Sequence, residues 1–202
     1  MAITNGYATL NELKAFVSIA TADTDHDTDL ERSVEAASRM IDNHCGRFFY
    51  DSGSATAKAF RAYSPTRLDV PDFSTLTGLA VKSDTSANGT YDTTWTITTD
   101  FVAEQMSILL DSRPYVRVLT TETYLFPTVG HRPRMEITAR WGWSAVPTDV
   151  TETCLIVAGE LWRRKDAPFG VAGFGPDGVA RIASTEKPML ARLDHYKIRS
   201  VF

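Results

Sequence analysis

RMEITARWGWSAVPTDVTETCLIVAGELWRR, residues 134–164, changes period near its middle, and that change decides how the rest of the chain is read. Over the first eight residues Met135, Ile137, Ala139 and Trp141 alternate with Arg134, Glu136, Thr138 and Arg140, the two-residue period of a strand with one wet face. Beyond Pro147, Val150, Cys154, Val157, Ala158 and Leu161 recur at helical spacing, in a stripe widened by Leu155 and Trp162. A stripe that broad touches more than one neighbour, which places this helix at the centre of a core. Gly159 lowers helix propensity by about 1 kcal/mol relative to Ala, a cost that makes sense where a second helix must approach closely. Arg163, Arg164 and Lys165 suit the negative end of the helix dipole.

Upstream of the strand, alternation and turn chemistry continue. Tyr91, Thr93, Trp95 and Ile97 alternate with Asp92, Thr94, Thr96 and Thr98, and Val116 and Val118 flank Arg117. Phe60–Tyr63 and Leu79–Lys82 are weaker strand candidates. Asn88-Gly89, Arg113-Pro114 and Arg132-Pro133 separate these runs, so residues 57–143 read as an antiparallel β unit. Before it, Thr9 and Glu12 form a capping-box pattern ahead of Leu13, Phe16, Val17 and Ala20. Thr28 and Glu31 repeat the pattern ahead of Leu30, Val34, Ala37, Ile41 and Cys45, and Gly46 is placed to end this second helix.

After residue 165 the run APFGVAGFGPDG is too glycine-dense to continue a helix and reads as a loop or loose hairpin. Ser184 or Thr185 with Glu186 and Pro188 announces a last short helix in which Met189, Leu193 and Tyr196 share a face, followed by an apolar tail to Phe202. The expected fold is α+β. A small helical core, 1–50 with 144–202, holds two N-terminal helices, one long central helix and a short C-terminal helix, and carries an inserted antiparallel β domain at 51–143.

A formal net charge of -4 and a pI near 5.6 give no general reason to grip nucleic acid, which is held by Lys and Arg on phosphates. Cys45 and Cys154, each in a helical pattern among apolar neighbours, read as small hydrophobes in a reducing compartment. The N-terminal residues lack a charged region followed by an apolar one, and no stretch approaches the ~20 apolar residues of a membrane span, so a cytoplasmic location is expected.

Motifs that promise chemistry fail on their surroundings. Asp23, Asp25, Asp27 and Asp29 alternate as in a calcium loop, yet Thr28 stands where an EF-hand needs glycine and Val34 where it needs a bidentate Glu. A solvated interhelical loop is the better reading. Gly173-Phe-Gly175-Pro-Asp-Gly178 matches GxGxxG literally but contains Pro176 and opens no helix able to hold a pyrophosphate. His26, His44, His131 and His195 are scattered without metal-ligand spacing. Neither a GxSxG elbow, a Walker pattern nor HExxH is present. No catalytic residue, cofactor or metal is expected, and the chain reads as a non-enzyme. Most of Trp95, Trp141, Trp143 and Trp162 are expected in the core rather than on a base-stacking platform.

Three stretches together resemble the head-tail connector, or adaptor, family of long-tailed bacteriophages. ERSVEAASRMIDNHCGRFF (31–49) is similar to that family's second helix with its Cys-Gly-Arg turn. PRMEITARWGWSAVPTDVTETCLIVAGELWRRKDAP (133–168) resembles its strand ending in Gly-Trp, its Val-Pro helix start and its long apolar helix. APFGVAGFGPDGVARI (167–182) resembles the subset from phages of actinobacteria. The resemblance covers both ends, and residues 51–130 match only in general style.

The resemblance implies a structural virion protein of the neck. It would form a homo-oligomeric ring, usually a dodecamer, under the portal, joining it to stopper or tail-completion proteins while DNA passes through the channel without sequence-specific binding. The alternative is a stopper or tail-completion protein of the same joint. A portal-binding arm is expected at Met189, Leu190, Leu193, Tyr196, Ile198, Val201 and Phe202, because an apolar face and tail have little reason to stay in water uncovered. Gly170, Gly173, Gly175 and Gly178 are its expected hinge, and an acidic wall would let phosphates slide past.

Overall fold

The structure, a computed structural model, describes residues 3–107, 113–121, 124–165, 171–175, 178–181 and 186–198. It is α+β, and the chain divides into two compact units, Met1–Phe49 with Val146–Phe202, and Tyr50–Ala145.

In the first unit, α1 (Leu10–Phe16) begins with the capping box: Glu12 N–H donates to Thr9 Oγ1 at 3.2 Å and Thr9 N–H to Glu12 Oε2 at 2.7 Å. Helix α2 (Asp27–Cys45) starts earlier than its sequence signals predict, and the Thr28–Glu31 box does not cap it. His26 precedes the first turn without a side-chain cap, and Asp27 and Asp29 face the positive helix end instead. Lys14 is the cause. Its side chain, only 2% exposed, brings Nζ to 2.5 Å from Asp27 Oδ1, 2.6 Å from the Asp23 carbonyl and 3.2 Å from that of Thr21. The acidic loop is thus folded around an internal ammonium.

The α2 stripe Leu30, Val34, Ala37, Ile41 and Cys45 is wholly buried, and Gly46 ends the helix at φ 67°, donating its N–H to the Asp42 carbonyl. Helix α3 (Thr148–Arg163) packs along α2 and buries Val150, Cys154, Val157 and Ala158. Gly159 serves the close approach its sequence position implies: a Cβ there would lie 3.1 Å from Phe16 Cε1 and 3.5 Å from Val17 Cγ1. The strands β8 (Val171–Gly175) and β9 (Gly178–Arg181) pair antiparallel, so the three glycines of the literal GxGxxG lie on paired strands and the last of them opens a strand, not a helix. Helix α4 (Glu186–Ala191) and a 3-10 turn at Asp194–Tyr196 follow.

The second unit is a seven-stranded sheet among the described residues: β1 (Asp51–Phe60), β2 (Arg67–Phe73), β3 (Ala80–Ser83), β4 (Thr93–Trp95), β5 (Phe101–Gln105), β6 (Tyr115–Thr120) and β7 (Met135–Gly142). All named pairs are antiparallel. β7 organises the sheet, pairing with β1 from Asp51↔Gly142 to Phe60↔Met135, with β3 from Ala80↔Thr138 to Ser83↔Met135, and with β2 at Phe73↔Trp141. β2 continues through β6 to β5, and β3 to β4.

The alternation read in 134–141 is the observed one, with Met135, Ile137, Ala139 and Trp141 buried. β4 is shorter than the predicted 91–98 run: Trp95 is buried with its Nε1–H donated to Ser83 Oγ at 2.9 Å, while Ile97 is exposed. The Asn88-Gly89 turn lies between β3 and β4, held by the Asp84 carboxylate, which accepts from the N–H groups of Asn88 (3.2 Å) and Gly89 (2.8 Å). Desolvation acts to raise the Asp84 pKa, but these backbone donors outweigh it and hold the carboxyl below the usual range. Trp143 is also core, donating Nε1–H to Asp72 Oδ2 at 2.7 Å.

Candidate functional site

The C-terminal residues are where the sequence placed a partner-binding face, and the structure divides them. Leu190, Leu193 and Tyr196 are buried within the helical unit, Leu193 at 0% exposure. The Tyr196 ring meets Phe49 edge-on at 5.2 Å between centroids, and its hydroxyl donates to Asp149 Oδ1 at 3.0 Å. The Ile198 N–H donates to the Cys45 carbonyl at 3.0 Å, and His44 Nε2 lies 2.8 Å from Asp194 Oδ1. Lys197 and His44 together hold the Asp194 carboxyl below the usual carboxylate range. The apolar stripe is therefore covered by its own helices rather than left in water. Of the named set, Met189 is half-buried and Ile198 is 50% exposed, whereas Val201 and Phe202 lie outside the described residues. Gly173, Gly175 and Gly178 stand in the β8–β9 hairpin, and Gly170 lies outside the described residues.

The buried polar groups of this unit form a structural brace. Tyr7 donates its hydroxyl to Asp42 and accepts from the Phe49 N–H at 2.8 Å, joining the N-terminal segment to both the end of α2 and the chain beyond it. Burial first, then the bond to Asp42, pushes the Tyr7 hydroxyl far up; burial likewise raises Asp42. Burial pushes the thiols of Cys45 and Cys154 up to about 11, so at neutral pH both are protonated and poor nucleophiles. Among the described residues no three His, Cys, Asp or Glu side chains are grouped to hold a metal ion. No helix among them is long and apolar enough to cross a membrane.

In the β unit a cleft of about 260 Å³ is lined by Ser74, Leu76, Gln105, Arg113, Tyr115 and Ser144 among others. Among the described residues Arg113 is the one charged lining side chain, and its guanidinium lies over the Trp143 ring at 5.4 Å. No acid–base pair converges there. The outer face of β2, β6 and β5 carries an exposed ion-pair ladder instead: Arg117 reaches Asp69 at 2.8 Å and Glu104 at 3.2 Å, and Arg67 reaches Asp69 at 2.9 Å. β1 has the least cover of the long strands, with Ser52 to Ala59 all exposed. The described surface of the β unit thus offers contact area and strand edges.

No family model and no curated protein matches the chain. Solved structures do. A chain from the neck of an empty GTA particle, computed with C6 symmetry, aligns over 100% of this chain and 95% of its own length, with TM-score 0.59 and 18% identity. One from the neck of a native GTA particle, computed with C12 symmetry, aligns over 100% and 94% with TM-score 0.52 and 16% identity. A chain of the virion of a native gene transfer agent (GTA) particle aligns over 100% and 95% with TM-score 0.51 and 19% identity. At these identities the likeness is one of fold, and it spans both units of the chain.

Proposed function

We propose that this chain is a structural subunit of the neck of a phage-like particle, acting as a head-to-tail adaptor that forms a ring under the portal. The observation that carries the reading is the end-to-end fold likeness to chains of GTA necks, which includes the β unit that sequence resemblance left weakest. The residue-level resemblance of 31–49 and 133–168 to connector proteins supports it independently. Function is then geometry: repeated heterologous contacts close a ring around a DNA channel, and the chain supplies no chemistry. The stopper and tail-completion proteins of the joint are the expected partners on the side away from the portal.

The portal contact belongs to the C-terminal segment in a narrower form. Leu190, Leu193 and Tyr196 anchor that segment to the helical unit, which leaves Met189, Ile198 and the residues beyond, Val201 and Phe202, to meet the partner. Deleting everything after Ser184 would remove core side chains along with the contact, so Ile198→Asp is the cleaner variant. The deciding experiment mixes the purified chain with portal rings and images the product by electron microscopy. A second annulus stacked on the portal is expected, and its loss in Ile198→Asp would place the contact. A folded chain that adds no annulus would overturn the adaptor role and move the chain to the stopper or completion position.

A further inference from the structure

We infer that the outer edge of β1 is a strand-pairing surface that joins a second copy of this chain, head to tail, through the β5 edge of that copy. β1 pairs with β7 along one side, and no described residue pairs with its other side. From Ala55 to Phe60 its register with β7 is unbroken, the irregularity being confined to the stretch after Asp51. A strand edge of this kind presents a row of backbone donors and acceptors, and soluble proteins blunt such edges with proline, charge, bulges or a covering element. The run 52–60 contains no proline, and its one charge, Lys58, lies with its ammonium 4.6 Å from the Trp141 ring centroid. Its other side chains before Phe60 are Ser, Gly, Ala and Thr, too small to keep a second backbone away.

The chemistry of the edge selects an extended backbone as occupant, because only another strand satisfies alternating N–H and C=O groups along one line. Among the described residues the strand order ends at β4 and at β5, and β5 offers the edge farthest from β1 along the path through β7 and β2. β5 is the terminal strand on the opposite side of the strand order; residues 96–98 engage it at Phe101, through the Ile97–Phe101 bridge and the Thr98 N–H, which leaves Val102–Gln105 for a neighbour. Two different edges on one sheet are what a head-to-tail contact requires, and repetition of that contact about an axis closes a ring. The choice of a second copy as occupant rests on the neck-subunit reading above.

Faces make the proposal specific. Ala55, Ala57 and Ala59 lie on the face of the sheet opposite Met135, Ile137 and Ala139, because they pair with Arg140, Thr138 and Glu136. Val102 and Glu104 lie on that same outer face, paired with Leu119 and Arg117. Cysteines at Val102 and at one of the three alanines would therefore meet across the joint, whereas a joint that flipped one strand would separate them.

The test combines Val102→Cys with Ala55→Cys, Ala57→Cys or Ala59→Cys in the full chain, followed by mild oxidation and a non-reducing gel. Cys45 and Cys154 are buried and do not compete. The expected result is a ladder of dimers, trimers and higher species, at least fivefold stronger for one alanine position than for the other two, which sets the register. Monomer alone, or equal yields at all three positions as random collision gives, overturns the inference. So does a dimer from Ala57→Cys alone at the yield of the best pair, which would mean that β1 pairs with itself. All the substituted side chains are exposed, so folding is preserved and circular dichroism verifies it. An annulus on the portal without the ladder would sink this joint and leave the adaptor reading standing; a ladder without an annulus would sink the adaptor reading and leave the joint standing.

Discussion

The two units bury their surfaces in opposite ways. In the helical unit the elements close on one another: the α2 stripe, the broad α3 stripe and the C-terminal Leu193 and Tyr196 all meet inside, and even Lys14 is taken in with a matched set of oxygens. In the β unit one face of β7 is buried, but β1 stands exposed along nearly its whole length and β5 ends the sheet on the other side. Helices satisfy their backbone within themselves, so a helical bundle is finished when its apolar stripes are covered. A sheet is finished only when its edges are paired or closed, which is why the proposed joint between copies lies in the β unit.

That contrast can be broken most directly at Leu193. Leu193→Ala removes a fully buried side chain of the C-terminal segment and is expected to cost about 2–5 kcal/mol in urea unfolding followed by helical circular dichroism. An effect below about 0.5 kcal/mol, the usual scale of a surface substitution, would mean that the segment is an unattached arm. Lys14→Met should cost about 2–3 kcal/mol by the same assay; breaking a fully buried pair costs about 3–5, but here Asp27 still reaches water. If the variant were neutral, the acidic loop would be a solvated connection after all.

The β unit is probed by Trp143→Phe, which deprives the buried Asp72 carboxylate of an indole donor and should cost about 1–2 kcal/mol, read from the unfolding midpoint in far-ultraviolet circular dichroism. Gly159→Ala is expected to change stability by less than about 1 kcal/mol, because helix propensity gained is offset by pressure on the Phe16 ring. Phe16 is 43% exposed and can swing outward, so a larger loss would show that α1 is clamped more tightly than its surface position implies.

Legibility followed the range of the interactions involved. The capping box at Thr9 and Glu12, the Gly46 stop and the period change at 141–148 are settled within a few residues, and each is where the residues put it. β2 escaped notice because Pro71 sits inside it, in the irregular stretch between Asp69 and Phe73 where the register with β6 shifts. β1 escaped because Ser, Gly and Ala carry little strand preference and no alternating burial; it is a strand only because β7 lies beside it. The C-terminal apolar stripe was legible, but a stripe does not say which surface will cover it.

By itself, then, the sequence determined the α+β class, the central helix, the strand that organises the sheet, and the lack of any recognisable catalytic or metal-binding motif, since all of these are written in local periodicity and spacing. Only the tertiary structure decided that Leu193 and Tyr196 turn inward, that an ammonium fills the aspartate loop, and that β1 has an edge with no strand beside it among the described residues. Each of those outcomes depends on which distant segment arrives alongside, and burial and strand pairing between segments far apart in the chain leave no mark in the residues nearby.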